Sequence, residues 1–165
     1  MPLTPLSSAA TTEWVQVFDE ALTRCTRAAR SPRLHSLMGE HARVGLGEHL
    51  ALTLTILGDA QPMRVSELAA HLDVERSTVS RRVTELVRLG LVTRAVDRND
   101  RRAARLKLTR SGERTVQKLR KAWHKTLQDL TVSWPVKQRG EIAVQLAKLA
   151  EGLEALIVDE AAVAS

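Results

Sequence analysis

The chain contains no tyrosine, one phenylalanine and three tryptophans, so aromatic side chains make up only 2% of its 165 residues. A core so poor in rings must be filled by Leu, Val, Ile and Ala, and this favours a mainly helical fold. One cysteine, Cys25, excludes an internal disulfide and fits a reducing compartment. No apolar run approaches the roughly 20 residues that a membrane-spanning helix needs. Residues 1–12 lack the basic and apolar regions of a secretory signal. A cytoplasmic protein with no membrane partner is therefore expected. Repeats and low-complexity tracts are absent. So are a glycine-rich phosphate loop, a nucleophile motif and paired carboxylates, which argues against an enzyme and gives no reason to expect a cofactor.

What is present is an ordinary globular composition, 44% hydrophobic and 27% charged, with an uneven distribution of charge. The net charge is +6. Residues 64–125 hold 17 Lys/Arg against 7 Asp/Glu, while residues 1–63 hold 5 against 6 and residues 126–165 hold 3 against 6. All the positive surplus thus lies in the middle of the chain. A basic module between near-neutral flanks marks a polyanionic partner.

Apolar periodicity predicts a first helix from about Thr12 to Arg30, carrying Trp14, Phe18, Leu22 and Cys25 on one stripe and stopped by Ser31-Pro32. A shorter helix occupies Arg33–Arg43. Leu50–Leu57 fits either a helix or a strand, and is read as a helix because the elements immediately downstream continue a helical motif. Gly58 to Pro62 is a turn. Ser66 is placed as the cap of a short helix whose Leu68, Ala69 and Leu72 face inward. Asp73-Val74 forms a tight turn. A second helix, Arg76–Leu89, carries Val79, Val83, Leu86 and Val87 on one side and is closed by Gly90.

The period then changes to two. Leu91–Val96 and Ala103–Leu108 flank the polar tip Asp97 to Arg102, a two-stranded β-ribbon. Thr109 caps a long helix to about Ser133, and Pro135 breaks it. In the last helix, Val136 to about Asp159, the residues Ile142, Leu146, Leu149, Leu153 and Leu156 form a heptad seam.

Two short helices, a tight turn and an arginine-tipped ribbon make a winged helix-turn-helix, here in an α+β, mainly α, chain. Residues 46–110 form the DNA-reading lobe. Residues 1–45 supply an N-terminal dimerisation helix and connector, and residues 111–165 complete the dimerisation platform. The second helix of the motif must present donors and acceptors to base edges in the major groove of double-stranded DNA. At about 100° per residue, Ser77, Arg81, Thr84 and Arg88 fall opposite the apolar side, with Thr78 and Ser80 at the flanks. Arg76, Ser77, Thr78, Ser80, Arg81 and Thr84 are thus the candidate DNA contacts on this helix. Arg88, near its end, contacts phosphate or nothing. On the wing the candidates are Arg98, Asp100, Arg101 and Arg102. Trp14, Phe18, Leu22, Ile142, Leu146, Leu149, Leu153 and Leu156 are the candidate dimerisation residues.

The stretch Arg64 to Val83, then Gly90-Leu91-Val92, Asp97 to Arg102 and Leu108-Thr109-Arg110-Ser111-Gly112, resembles the MarR family of bacterial regulators. The resemblance implies a homodimer that acts as a sequence-specific transcriptional regulator, in most cases a repressor on a palindromic operator. It further implies that Arg101 or Arg102 enters the minor groove, with Asp97 and Asp100 orienting the wing arginines. A small aromatic or anionic effector, bound between platform and DNA lobe, would release the operator. Two positions depart from the family pattern. Asp73 stands where the turn often has Gly, and Glu75 where the helix start usually has a small capping residue.

Three other readings compete. An architectural, non-specific DNA binder would share the basic module but not the preference for an operator. A winged helix used for protein contacts would need no arginine-rich tip. A redox-responsive regulator would act through Cys25, but similar sensors activate the thiol with tyrosine hydroxyls, and Cys25 lies on an apolar stripe where it is expected to be packed. His35, His41, His49, His71 and His124 show no pairing at ligand spacing, so no metal site is expected. The operator, the regulated genes and the effector are not encoded in any motif.

Overall fold

In a computed structural model of the chain, residues 8–96 and 104–163 are described. They form two compact units, the first ending at Trp123 and the second beginning at His124. Helix α1 (Ser8–Ala29) is followed by α2 (Pro32–His41) and α3 (Glu48–Ala60). Pro32 sits in the first turn of α2, where its missing N–H leaves no bond unmade.

Helix α3 is the segment whose period is ambiguous, and its burial explains why. Ala51, Leu52, Thr53, Leu54 and Leu57 are all buried, so the helix is enclosed on most sides and shows no single stripe. The buried threonine is satisfied locally: the Thr53 hydroxyl donates to the His49 carbonyl at 2.6 Å. Thr55 donates to that of Ala51 at 3.0 Å.

Next come β1 (Met63–Arg64), α4 (Val65–Leu72), α5 (Arg76–Arg88), β2 (Val92–Val96) and β3 (Ala104–Leu108). Among the described residues the sheet has three strands, not the two expected, in the antiparallel order β1-β3-β2. Met63 pairs with Leu106 and Arg64 with Arg105, while β2 runs against β3 from Val92↔Leu108 to Val96↔Ala104. A two-residue strand is too short to show alternation, so β1 leaves no periodic signal. The start of α4 also differs from expectation. Its N-cap is Arg64, and Glu67, rather than Ser66, does the capping: its Oε2 accepts the Arg64 N–H at 2.7 Å.

Three helices end in the same way. After α5, the Gly90 N–H bonds to the Val87 carbonyl and the Leu91 N–H to that of Leu86, both at 2.9 Å, with Gly90 at φ +69°. This is a Schellman closure with glycine in the left-handed position. Helix α4 ends through Asp73 (φ 52°), with Asp73 N–H to Ala70 O and Val74 N–H to Ala69 O. Helix α2 ends through Arg43 (φ 52°), with Arg43 N–H to Glu40 O and Val44 N–H to Gly39 O.

The core of the first unit gathers Leu54 and Leu57 of α3, Met63, Leu68, Val79, Val83, Leu86, Leu91, Val92, Leu106 and Leu108, with Val116 of the following helix. That helix is α6 (Arg110–Leu130), and α7 (Val136–Val163) comes after it. Thr109 caps α6 as expected, its Oγ1 accepting the Gly112 N–H at 3.0 Å. The same hydroxyl donates to the Gly90 carbonyl at 2.7 Å, and the Thr109 N–H bonds to Leu91 O at 3.0 Å. A Cβ on Gly112 would lie 2.0 Å from Leu91 O, so only glycine permits this approach. The start of α6 is thereby locked to the end of α5. No described helix is long and apolar enough to cross a membrane.

Candidate nucleic-acid interface

Helix α5 is held by one face. Val79, Val83 and Leu86 have no exposed surface. Opposite them Arg76, Ser77, Arg81 and Thr84 are exposed, with Thr78 and Ser80 half-buried at the flanks, as the helical wheel requires. Val87 differs from the expectation: it is exposed, because the buried arc is filled by the other three and does not extend around to it. Helix α4 braces α5 through the turn at Asp73, with Leu68 and Ala69 buried between them.

The two ends of α5 differ electrostatically. Glu75 occupies the N-cap without a side-chain capping bond, and its carbonyl takes the Thr78 and Val79 N–H groups at 3.0 and 3.2 Å. At the other end, Arg88 donates through Nε and Nη2 to the two carboxylate oxygens of Glu85, at 2.8 and 2.6 Å. This side-chain hydrogen bonding, helped by charge attraction, holds the Glu85 carboxyl below its ordinary range and raises the Arg88 guanidinium. Arg88 thus has a carboxylate partner on its own helix. Arg81, one turn from Glu85, has no ion pair or hydrogen bond among the described side chains.

One basic residue that the sequence did not single out stands beside this face. Arg94 of β2 is exposed and places Nη2 at 3.4 Å from the Thr84 hydroxyl oxygen. Its signal in the sequence is the alternation of β2, which sets Arg94 in phase with buried Val92. The wing tip, with Arg98, Asp100, Arg101 and Arg102, lies outside the described residues.

The candidate dimerisation residues lie on two elements. On α1, Trp14 and Phe18 are exposed and pack edge to face at a centroid distance of 6.2 Å, and Leu22 is half-buried. On α7, Ile142, Leu146, Leu153 and Leu156 are exposed and Leu149 is half-buried. Cys25 is exposed, not packed as expected. Its stripe is present, but Cys25 is left uncovered by the described residues. His35 is buried with Nδ1 at 3.0 Å from the Ser31 carbonyl. Among the described residues no group of His, Cys, Asp and Glu could hold a metal ion.

Residues 49–104 match the sequence model of the MarR family. A MarR transcriptional regulator from Methanosarcina mazei Go1 is 25% identical, with a TM-score of 0.63 over 84% of this chain and 98% of that one. The transcriptional regulator Tm0710 from Thermotoga maritima is 26% identical, with a TM-score of 0.61 over 84% and 95%. A MepR mutant from S. aureus bound to an oligodeoxyribonucleotide is 20% identical, with a TM-score of 0.52 over 81% and 96%, and its likeness concerns the fold. Residues 49–104 thus resemble the MarR family in sequence, on a chain that shares the fold of MarR transcriptional regulators along most of its length.

Proposed function

We propose that this protein is a sequence-specific regulator of transcription, a homodimer that represses by occupying a palindromic operator and leaves it when a small effector binds. The observation that carries the reading is α5. Three fully buried residues fix its inner face, and Ser77, Arg81 and Thr84 stand exposed opposite them. Short hydroxyl side chains let the helix backbone approach base edges, and a guanidinium can pair bidentately with guanine. Arg76, Thr78 and Ser80 complete the reading face. By analogy with the family, Arg101 or Arg102 of the wing would enter the neighbouring minor groove, whose negative potential attracts arginine, with Asp97 and Asp100 orienting the wing arginines.

One helix of this length reads too few bases to select a site in a genome, and two-fold pairing doubles the sequence read. In this reading residues 46–110 read DNA, while residues 1–45 and 111–165 provide the platform. The effector, aromatic or anionic by analogy with the family, must differ in affinity for the DNA-bound and free states, because equal affinity shifts nothing. The S. aureus protein bound to an oligodeoxyribonucleotide supports DNA as the ligand class.

Recovery of bound genomic fragments and footprinting of the sites tests the proposal. The expected footprint is two protected half-sites about one helical turn apart, with a preference of roughly 10³-fold or more over unrelated DNA. Equal affinity for any duplex would instead identify an architectural DNA binder.

A further inference from the structure

We propose that Arg94 of β2, steadied by Thr84, is a phosphate-contacting residue at the C-terminal end of the recognition helix α5. The proposal rests on the DNA-binding reading above and adds to it a residue outside helix and wing tip.

The strand pairing aims Arg94 at the helix. Val92 stands opposite Leu108, and Arg94 opposite Leu106, which in turn pairs with Met63. All four of these apolar partners are buried. Arg94 thus occupies the sheet face that packs against the helices, not the outer face that carries Thr93 and Lys107. A guanidinium cannot stay unpaired in a core. Arg94 is accordingly exposed, and its head lies at the edge of α5, where Nη2 is 3.4 Å from Thr84 Oγ1.

Thr84 gives its own hydroxyl hydrogen to the Ser80 carbonyl at 2.8 Å. Its oxygen is then left as an acceptor, the role that suits a neighbouring arginine and not one that donates to a base. Thr84 is therefore a positioning residue for Arg94. The other guanidinium at this end, Arg88, is held by both carboxylate oxygens of Glu85. Arg94 has no carboxylate partner among the described residues. Of the two, Arg94 is the guanidinium with fewer competing partners for the DNA backbone, and its planar fork of donors matches phosphate geometry.

A mixed-sequence duplex of about 30 base pairs is sufficient as the probe, because phosphate contacts do not depend on sequence. Binding of the full-length protein is measured by fluorescence anisotropy across a salt series, for wild type, Arg94→Gln, Arg94→Lys, Thr84→Val and Arg88→Gln. Loss of one phosphate contact should lower the log–log salt slope by about 0.9. That loss is expected for Arg94→Gln and not for Arg94→Lys or Arg88→Gln, while Thr84→Val should weaken binding severalfold. Gln keeps most of the arginine stem, and a thermal melt of each variant confirms the fold. An unchanged slope in Arg94→Gln overturns the proposal, as does an equal loss in Arg88→Gln or in Arg94→Lys. Unaltered binding by Thr84→Val overturns the positioning role. Wild type that shows no salt-dependent binding overturns the DNA-binding reading itself, and is distinguishable from all of these.

Discussion

Arg81 and Arg88 sit seven residues apart on the same helix, and their surroundings give them opposite prospects. Arg88 spends its donors on Glu85, whereas Arg81 stands free on the exposed face. Arg81→Ala should therefore cost about 1–3 kcal/mol of operator binding and relax the preference at one base step. Competition assays on base-substituted operators check this, and an equal loss on operator and random DNA would reduce Arg81 to a phosphate contact. Two residues in the left-handed backbone region allow a separate prediction about stability. Arg43 and Asp73 both occupy the position that Gly90 fills without strain. Arg43→Gly should raise stability by about 0.5–1 kcal/mol, and Asp73→Gly by less, because aspartate tolerates this region better than arginine does. Urea denaturation of the two variants measures it. A loss of stability in Arg43→Gly would mean that the longer side chain contributes more than the strain costs.

At the scale of elements, the lock between α5 and α6 is the feature with the sharpest consequence. Thr109 bonds to Gly90, Leu91 and Gly112 at once, and Gly112 has no room for a Cβ. Gly112→Ala should force the backbone apart and destabilise the first unit by about 1–3 kcal/mol, lowering operator affinity with it. Circular dichroism melts and binding titrations provide the readout, and an unchanged melt would show that the junction yields easily. Much of this architecture is legible in the sequence. Gly90, the Val79, Val83 and Leu86 positions of α5 and the Thr109 cap each announce themselves through a local rule that the packing does not override, whereas Val87 stays exposed. The exceptions have physical causes. Helix α3 is buried on most sides, so its period is obscured. Strand β1 is too short for any period. Ser66 satisfies the capping rule in composition, but Glu67 is the residue that reaches the open N–H. On the candidate interface the helix face is readable, while Arg94 is not, because its relation to Thr84 exists only after the sheet has formed.

For the whole molecule, the apolar residues left uncovered are the main clue to assembly. Trp14 and Phe18 on α1, and Ile142, Leu146, Leu153 and Leu156 on α7, are all exposed in the single chain. If a second copy covers them, Leu149→Glu with Leu153→Glu should place carboxylates in the contact at a cost of several kcal/mol and separate the protomers. Sedimentation should then show a monomer, and the palindromic footprint should disappear. The cysteine gives an independent check. Cys25 lies on the α1 stripe and is exposed in the single chain, so a thiol reagent should label it slowly in the assembled protein and quickly in the separated variant. Equal labelling rates in both would place Cys25 outside the contact.

Helix α7 has one more implication. Of its described side chains none is buried, and only Arg139 and Leu149 are even half covered, along a helix of 28 residues. A helix of this kind owes little of its order to its own chain, so assembly and structure rise together. If a second copy covers α7, as proposed, the protein becomes in a cell a counter of its own copies. At scarce supply the paired form falls with the square of the chain count, so halving the gene dose should cut it by about fourfold. Repression would then switch off faster than synthesis declines.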